Sequence, residues 1–482
     1  MRRAPAAMAA MSALTLGAVM AVGGPASAHG SATASSHPGF TERVLTTGLG
    51  DPYEILWGPD NHIWATEKSG LKVTRIDPKT GARTTALDLA GKAFHTTGGQ
   101  DGVLGLAFQP SGHRHNGVQY VYLSYTYRTK TPAAVTGETR RLKIVRYTLD
   151  DRTHTLRSPK DVLTGLPSGT DHQSARLRFG PDGKLYYTIG DQGANQLEHF
   201  CNPNWAQRLP TKSEVKAKDW SSYQGKILRL DLDGSIPSDN PVLNGVRSHV
   251  ITYGHRNSQG VDFAPSGVLY QAEQGPKTDD EINIVRKGAN YGWPHVAGWR
   301  DDKAYTYNNW SAAAPTPCKK LTYDDITAPP SVPKQKETDW HGTFVPPIDT
   351  LGTTVGNDHD FADPKCAAGG LYYICYPTIA PSSLSYYPDR HGGIRGWGNS
   401  LVVTTLKDGS VYRLKLTSDG RHIARTEKLW TSQNRYRDTA FSPDGTSVFV
   451  ATDSAGLVRD PNGAPTSTLE NPGSILVFRA QR

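Results

Sequence analysis

A histidine stands between two carboxylates in DHQSARLRFGPDGKLYYTIGDQGANQ, the segment formed by residues 171–196. Between His172 and Asp191 lies RLRFGPDGKLYYTI, which predicts two short strands joined by a Gly-Pro-Asp-Gly turn. Because a hairpin returns the chain to the end at which it started, we expect the histidine and this second acid to meet. A carboxylate that holds one imidazole nitrogen leaves the other free to take a proton, so the segment predicts a general base.

The turn in this hairpin recurs along the chain, with an aromatic residue before it and a strand pattern after it. Each copy reads aromatic, any residue, Pro, and then Asp or Ser, and the aromatic residues are Trp57, Phe108, Phe179, Phe263 and Phe441. The wide gap before the last copy leaves room for a degenerate unit, which we place at residues 396–416. Such a turn is common in any hairpin, but six units of about four strands predict an all-β, six-bladed β-propeller with four-stranded antiparallel blades.

Polar residues stand at corresponding places in different repeats. They are Gln100, His172, Asp191, Arg256, Asn257, Lys407, Arg435 and Arg437. If all lie at the same rim of their blades, they form a pocket with one base and four cations, which suits a polyanionic ligand. Taken singly, a cation is more often a solvated surface charge. Residues 197–223 and 309–373 are predicted to be long loops that carry function at one end of the central channel.

The composition of the 482 residues is typical of an exported β protein. Glycine (49) and proline (33) are plentiful, and the formal charge of +8 includes no basic run that would predict a nucleic-acid partner. Residues 1–28 have the charged start, apolar run and Ala-Ser-Ala end of a secretory signal peptide, a membrane anchor being the alternative. We therefore expect a secreted or periplasmic protein without a membrane span, cleaved near Ala28, with one propeller domain over residues 29–482.

The four cysteines are expected to form disulfides, since an exported chain permits them. Cys366 and Cys375 are nine residues apart and are the expected bridge, whereas a bridge between Cys201 and Cys318 follows only by elimination and is left open. A zinc site is the alternative, but the sequence contains no C-x-x-C pair to support it.

Long motifs along the chain resemble the soluble quinoprotein glucose dehydrogenases of the glucose/sorbosone dehydrogenase family. The resemblance lies in DHQSARL, YYTIGDQGANQ, GKILRLDLDGSIPSDNP, GHRNSQG, QGPKTDDEIN, ANYGWPHVAGW, YICYPTIAPSS, NRYRD and TLENPGS. It extends from about Gly48 to Phe478 and is strongest between Asp171 and Trp299. The resemblance implies a six-bladed propeller that uses pyrroloquinoline quinone (PQQ) and calcium to oxidise an aldose to its lactone.

The resemblance also implies a role for individual residues. His172 would be the general base, held by Asp171 and Asp191, and Arg256 would stabilise the quinone oxygens. The residues implied to bind the cofactor are Arg256, Asn257, Thr378, Lys407, Arg435 and Arg437. Those implied to contact the sugar are Gln100, Gln196, Tyr373 and Tyr376. Tyr376 stands where the family has a tryptophan, which puts the sugar preference in doubt.

Two calcium sites are implied in the same way. Backbone carbonyls of Gly275 and Pro276 would hold an ion beside the cofactor. A second ion would be bound by the acids Glu281, Asp301 and Glu337 and the carbonyls of Tyr291, Ala297 and Trp299. Oxygen ligands suit calcium, but acid-rich turns are also often simply solvated.

Two other functions are kept as alternatives, a calcium-dependent sugar-lactone hydrolase and a non-enzymatic propeller that binds glycans or proteins. The hydrolase would have little use for Lys407, Arg435 and Arg437, and a binding propeller would not need His172. The expected partners are an aldose and an external electron acceptor, either a cytochrome or a diffusible quinone. Whether the protein forms a homodimer is left open.

Overall fold

The computed structural model describes residues 39–113, 117–133, 137–388 and 392–481, and the predicted signal peptide lies outside these ranges. Six antiparallel sheets form the blades of a propeller.

Blade 1 contains Pro52–Trp57, Ile63–Glu67, Lys72–Ile76 and Arg83–Asp88. Blade 2 contains Val103–Phe108, Tyr120–Arg128, Arg140–Asp150 and Thr155–Leu166. Blade 3 contains Ser174–Phe179, Leu185–Ile189, Lys226–Leu230 and Val250–Tyr253. Blade 4 contains Ser258–Phe263, Leu269–Glu273 and Glu281–Ile284.

The last two blades come from the C-terminal part of the chain. Blade 5 contains Pro381–Tyr386, Ser400–Thr405, Ser410–Leu416 and Ile423–Thr431. Blade 6 contains Tyr436–Phe441, Ser447–Thr452, Ile475–Ala480 and the N-terminal strand Phe40–Thr46. Because Phe40–Thr46 pairs with Ile475–Ala480, the first and last described strands are hydrogen-bonded within one blade.

The first strands of successive blades contact one another in a closed ring, so they are the innermost strands of the propeller. The predicted six-bladed β-propeller is therefore confirmed, with three rather than four strands in the described part of blade 4. Blade 5 differs from the prediction because residues 396–416 hold its second and third strands. The sequence Tyr-Tyr-Pro-Asp, which begins at Tyr386, the last residue of its first strand, is a further copy of the repeat that was not recognised.

The aromatic residue of the repeat packs against an aromatic ring of the preceding blade. The ring-centroid distances are 5.3 Å for Phe108 and Trp64, 5.5 Å for Phe179 and Tyr122, 5.0 Å for Phe263 and Tyr186, 5.4 Å for Phe441 and Tyr387, and 5.8 Å for Trp57 and Phe449. Most of these pairs meet edge to face, a favourable arrangement of ring quadrupoles. The repeat is thus visible in the sequence because the aromatic residue of each copy packs in one interface between blades.

A fully buried arginine joins the innermost strands. The Arg176 guanidinium donates hydrogen bonds to the carbonyls of Gln259 (2.6 Å), Tyr53 (3.0 Å), Arg437 (3.2 Å) and Ser382. These acceptors belong to blades 4, 1, 6 and 5, while Arg176 itself lies in blade 3. Its charge is balanced by two buried carboxylates, Glu54 and Asp438, each 3.2 Å away. One side chain therefore connects five of the six blades at the centre of the ring.

The loops carry a few small elements and both disulfides. Two short α-helices, Lys212–Ala217 and Tyr372–Cys375, lie in the described residues, together with the hairpins Val242–Leu243 with Val246–Arg247, Tyr307–Asn308 with Lys334–Gln335, and Val458–Arg459 with Pro465–Thr466. The expected bridge between Cys366 and Cys375 is present, and Cys201 pairs with Cys318, which joins the two long predicted loops. None of the helices in the described residues is long and apolar enough to span a membrane.

Candidate active site

The site lies where the innermost strands begin and the second strands end. In every blade the pairing of these two strands is irregular near the start of the first strand, for example between Ser174 and Leu177 in blade 3. Such bulges bend the chain and re-aim the residues beside them. Gln100, His172, Arg256, Thr378 and Arg435 precede first strands, and Asp191, Lys407 and Asp453 follow second strands. This shared position explains why residues so distant in sequence converge.

His172 and Asp191 meet as the hairpin predicted. The imidazole Nδ1 of His172 lies 2.6 Å from Asp191 Oδ1, and His172 is only 4 % exposed. Because Asp191 accepts the Nδ1 proton, Nε2 is left as the acceptor, and the amide nitrogen of Gln196 lies 3.1 Å from it. The His172 backbone has a φ of +41°, a strained conformation for a non-glycine residue. A β-carbon at Gly190 would collide with the His172 carbonyl, so glycine is required there.

Asp191 is itself fixed by neutral donors. Its Oδ2 accepts hydrogen bonds from the Trp293 indole N–H (2.8 Å) and the Asn204 amide (3.0 Å), and its Oδ1 accepts one from the Gly193 backbone (2.9 Å). Asp171 stands on the other side of the base, with Oδ2 3.7 Å from His172 Nε2. Burial alone would raise the pKa of Asp171, but the positive charges of His172 and Arg256 hold that pKa below its usual value. The two carboxylates thus stand on opposite nitrogens of the imidazole ring.

A cavity of about 230 Å³ opens beside His172. It is lined by Gln100, Asp171, His172, Gln196, Leu197, Arg256, Gln274, Gly275, Pro276, Asp280, Asp325, Tyr373, Ile374, Thr378, Ala380, Leu406, Lys407 and Arg435. The lining thus combines the predicted base, the predicted sugar contacts Gln100, Gln196 and Tyr373, and three of the four predicted cations. Gly275 and Pro276, the predicted carbonyl ligands, also lie in its wall.

Two of the three cations of this cavity, Lys407 and Arg256, form no ion pair with a described carboxylate, and the third, Arg435, shares Asp453 with Arg437. Burial lowers the pKa of Lys407 well below its usual range, and its ammonium group donates to the neutral Thr378 hydroxyl and Tyr373 carbonyl. Arg256 donates to the side chain of Gln196 (2.9 Å) and the carbonyl of Gln274 (3.1 Å), while its buried Nε has no partner. Burial also lowers the pKa of Arg435, although Asp453 opposes this. An anion that entered the cavity would give all three cations a negatively charged neighbour.

Four of the residues predicted to act on the base, the cofactor or the sugar do not line the cavity. Arg437 is bound through two nitrogens to Asp453, each at 2.7 Å, and Asn257 is buried against Gln274 and Ser174. Asp191 lies behind the base. Tyr376 is 1 % exposed, and its hydroxyl donates to Asp325 Oδ2 at 2.8 Å. The structure therefore brings Tyr373 to the cavity and places Tyr376 behind Asp325, which is itself a lining residue.

The predicted acidic calcium cluster surrounds one loop. Glu281 accepts a hydrogen bond from the Gly298 backbone (2.7 Å), and Glu337 accepts others from Ala297 (3.0 Å) and Asp301 (3.2 Å). Burial raises the pKa of Glu337 to about 7 and that of Glu281 well above its usual range. In the described part of the chain no three acidic, histidine or cysteine side chains form a metal cluster by themselves. An ion here would need carbonyl ligands as well, and the segment also contains the buried Tyr291 and Ala297 and the exposed Trp299.

Several functional neighbours were missed by the sequence analysis. Asp453 follows the second strand of blade 6, the position that Asp191 holds in blade 3, so the repeat could have revealed it. Trp293 and Asp280 lie in motifs that were quoted for the resemblance, and Asp280 joins the Gly275 backbone (2.9 Å) to the Ala380 backbone (3.1 Å). Asp325 and Asn204 lie in long loops, where no local pattern marked them.

The family assignment rests on direct comparison. Residues 49–332 and 353–459 match the glucose/sorbosone dehydrogenase family. Quinoprotein glucose dehydrogenase B of Acinetobacter calcoaceticus is 47% identical over 444 residues, which cover 91% of each chain. Aldose sugar dehydrogenase YliI of Escherichia coli is 32% identical over 259 residues, 53% of this chain and 62% of that one. The solved PQQ-bound aldose sugar dehydrogenase of Streptomyces coelicolor has the same fold, with a TM-score of 0.59 and 22% identity over 92% of this chain and 100% of that one. The chain belongs to the glucose/sorbosone dehydrogenase family, which confirms the resemblance.

The hydrogen bond from Trp293 to Asp191 leads to a first prediction. Trp293→Phe removes the N–H donor but keeps an aromatic ring, and we expect it to lower turnover about tenfold, in line with a lost hydrogen bond to a charged group. Trp299→Phe, which changes an exposed indole in the same segment, is the control and should leave turnover unchanged. Equal turnover in the two variants, with equal melting temperatures, would show that the indole N–H does not support the base.

Proposed function

We propose that the protein is an exported PQQ- and calcium-dependent aldose 1-dehydrogenase that oxidises glucose and related aldoses to lactones. The observation that carries the proposal is one cavity lined by a carboxylate-held histidine and three cations, of which Arg256 and Lys407 form no ion pair with a described carboxylate. The names of the relatives support it, since one is a quinoprotein glucose dehydrogenase and another an aldose sugar dehydrogenase. Export is supported by the predicted signal peptide and the two disulfides.

His172 acts as the base in this proposal. Its Nε2 takes the proton of the sugar C1 hydroxyl, and Asp191 stabilises the imidazolium that forms. Gln196, whose amide nitrogen lies 3.1 Å from His172 Nε2, then donates to the sugar oxygen that has lost its proton. Gln100 and Tyr373 line the same end of the cavity and orient the sugar, and Asp171 keeps the base near its working position. Loss of the hydroxyl proton leaves an electron pair on the oxygen, and this pair forms the C=O bond of the lactone as the hydrogen of C1 leaves as hydride.

The cavity suits PQQ as the hydride acceptor. When bound, PQQ supplies a quinone carbon that accepts the hydride and a tricarboxylate that needs cationic partners. Arg256, Lys407 and Arg435 line the cavity and would bind quinone or carboxylate oxygens there. Thr378 holds Lys407, Asn257 supports the Gln274 side chain of the cavity wall, and Arg437 holds Asp453 against Arg435. Arg256 thus stabilises the negative charge that develops on the acceptor.

Calcium fits two places by the type of donor they offer. The carbonyls of Gly275 and Pro276 lie in the cavity wall beside Asp280, where a cation would balance an anionic cofactor. At the acidic cluster, Glu281 and Glu337 form no ion pair with any described lysine or arginine, and their carboxylates accept hydrogen bonds from neutral backbone N–H groups. A cation would compensate the burial that raises both pKa values. Calcium therefore has one proposed role in the cavity and one in the loop around Asp301.

Reconstitution of the apoprotein tests the proposal. Purified protein is treated with chelator, dialysed, and mixed with PQQ, calcium, both, or NAD, and dye reduction is followed with glucose as the substrate. We expect activity only with PQQ and calcium together. Activity with NAD alone, or equal activity without PQQ, would refute the proposed cofactor.

Calcium removal gives a second prediction. The unfolded pKa of a glutamate is about 4.5, and the raised folded pKa of Glu337, about 7, means that the chelated protein loses stability as pH rises between these values. Bound calcium compensates the ionised carboxylate, so a chelator should lower the melting temperature more at pH 8 than at pH 5. Asp301→Asn should reduce this effect, whereas Asp358→Asn, at an exposed site, should not. An unchanged melting curve after confirmed calcium loss would contradict the site.

A further inference from the structure

A groove of about 770 Å³ lies on blade 2 and shares no lining residue with the catalytic cavity; we call it the blade 2 groove. Its floor is one face of the blade 2 sheet, where Tyr125 pairs with Lys143, and one wall is the segment 91–94, which connects blade 1 to blade 2. None of the roles proposed above uses this groove. The cationic and larger aromatic residues of its lining include Lys92, Phe94, Tyr125, Tyr127, Arg128 and Lys143.

Blade 2 carries an excess of positive charge. Between Arg128 and Asp161 nine lysines and arginines stand against four acids, an excess of five in a chain whose whole formal charge is +8. In the groove Lys143 pairs with Asp161 at 3.0 Å, whereas Lys92 and Arg128 are exposed and form no ion pair with a carboxylate in the described part of the chain. Charge concentrated on one surface attracts ions of the opposite sign. The groove therefore favours an anionic ligand.

The cations of the groove lie beside aromatic rings. The guanidinium carbon of Arg128 is 3.8 Å from the centre of the Phe94 ring, and Lys143 Nζ is 5.1 Å from the centre of the Tyr127 ring. Phe94 and Tyr127 are partly exposed. An acidic sugar presents an apolar C–H face and a negative charge side by side, so it can pack on a ring and bind the cation next to it. A bare inorganic anion has no such face.

The groove is held in place by contacts that need no ligand. The Phe94 backbone N–H donates to the Thr126 carbonyl at 2.7 Å, which ties the wall to the second strand of blade 2. The Tyr127 hydroxyl accepts a hydrogen bond from the Gly165 backbone at 3.2 Å, and Tyr125 belongs to a buried core cluster. A surface that is ordered in advance loses little conformational freedom when it binds.

We propose that the blade 2 groove binds an acidic polysaccharide, a chain of sugars that bear carboxylate, sulfate or phosphate groups. The inference goes beyond the proposed function, because binding there requires neither PQQ nor an aldose in the catalytic cavity. It gives the protein a second activity, attachment to an anionic polymer. The catalytic cavity stays open during this attachment, since the two sites share no lining residue.

Calorimetry on the apoprotein at low salt tests the proposal, with alginate, dextran sulfate and neutral dextran as probes. We expect the parent to bind the two acidic polymers and not dextran. The variant with both Lys92→Glu and Arg128→Glu should bind them at least about tenfold more weakly. The matched control, Arg421→Glu with Arg425→Glu, makes the same change of charge at exposed positions of blade 5 and should bind within about twofold of the parent. Melting temperature and glucose oxidation after reconstitution should stay unchanged in both variants.

Phe94→Leu separates a polysaccharide from a bare anion. Leucine keeps an apolar side chain but removes the ring face on which a sugar would pack. We expect this variant to bind alginate several-fold more weakly, while its affinity for inorganic polyphosphate stays within about twofold of the parent.

Three results would overturn the inference. The first is a parent that binds neither acidic polymer, or that binds them no better than the Lys92→Glu and Arg128→Glu variant does. The second is polyphosphate bound as tightly as alginate, with Phe94→Leu affecting neither, which would indicate a general anion-binding surface. The third is binding to phosphatidylglycerol vesicles but to neither polysaccharide, which would assign the groove to a membrane surface. Because all binding is measured on the apoprotein, a failure of the proposed function would leave these results unchanged.

Discussion

His172→Gln is expected to lower glucose turnover by about 10² to 10⁴, the usual contribution of a positioned base. Glutamine keeps a polar side chain of similar reach but cannot take the proton at the working pH. Since His172 is held by Asp191 and does not pair with the cavity cations, PQQ affinity should stay within about threefold of the parent. Steady-state kinetics of the reconstituted variant, with PQQ binding followed by absorbance, measures both effects.

Two further variants serve as comparisons for His172→Gln. His422→Gln changes an exposed histidine outside the cavity and should leave turnover unchanged. Asp191→Asn should lower turnover by less than His172→Gln, because Asp191 orients the ring and does not contact the reacting atoms. If His172→Gln turned over glucose within about threefold of the parent, another group would have to remove the proton.

Of the substitutions considered, Arg176→Met should lower the free energy of unfolding the most. It leaves Glu54 and Asp438 buried without their shared cation and removes the donor to four carbonyls of other blades. Loss of one member of a buried ion network costs about 3–5 kcal/mol of unfolding free energy. Urea denaturation followed by fluorescence measures the change.

The control for Arg176 is an arginine on the surface. The side chain of Arg425 is 72% exposed and pairs with Glu427 at 2.9 Å, so Arg425→Met should cost less than about 1 kcal/mol. Arg178 still pairs with Glu54 in the Arg176→Met variant. We therefore expect the loss of unfolding free energy in that variant to be about 3 kcal/mol, the lower end of its range. A loss for Arg176→Met no larger than for Arg425→Met would show that the blades do not depend on this contact.

Local sequence patterns could predict the blades and the catalytic pair. The repeat marks the end of each innermost strand, because its aromatic residue packs on the preceding blade, as Phe179 does on Tyr122. The hairpin returns the chain to the end at which His172 stands, and with the irregular pairing between Ser174 and Leu177 it brings His172 within 2.6 Å of Asp191. Both features depend on residues close together in the chain.

Features that depend on distant segments could not be predicted in the same way. Arg435 precedes the strand Tyr436–Phe441 and Arg437 lies within it, and both pair with Asp453, yet only Arg435 lines the cavity. The direction of Tyr376 is set by Asp325, which lies in a long loop with no repeat to position it. The partner of Cys201 likewise depended on how two loops meet.

The central claim is that this chain removes hydride from C1 of an aldose with His172 as the base and PQQ as the acceptor. A single-turnover experiment tests it most directly: the PQQ- and calcium-loaded protein is mixed with glucose carrying hydrogen or deuterium at C1, without an electron acceptor. The account predicts one lactone and one reduced cofactor per site, formed several-fold more slowly with deuterium, and at least about a hundredfold more slowly in His172→Gln. Absence of lactone without an acceptor, or equal rates with hydrogen and deuterium in the chemical step, would contradict it.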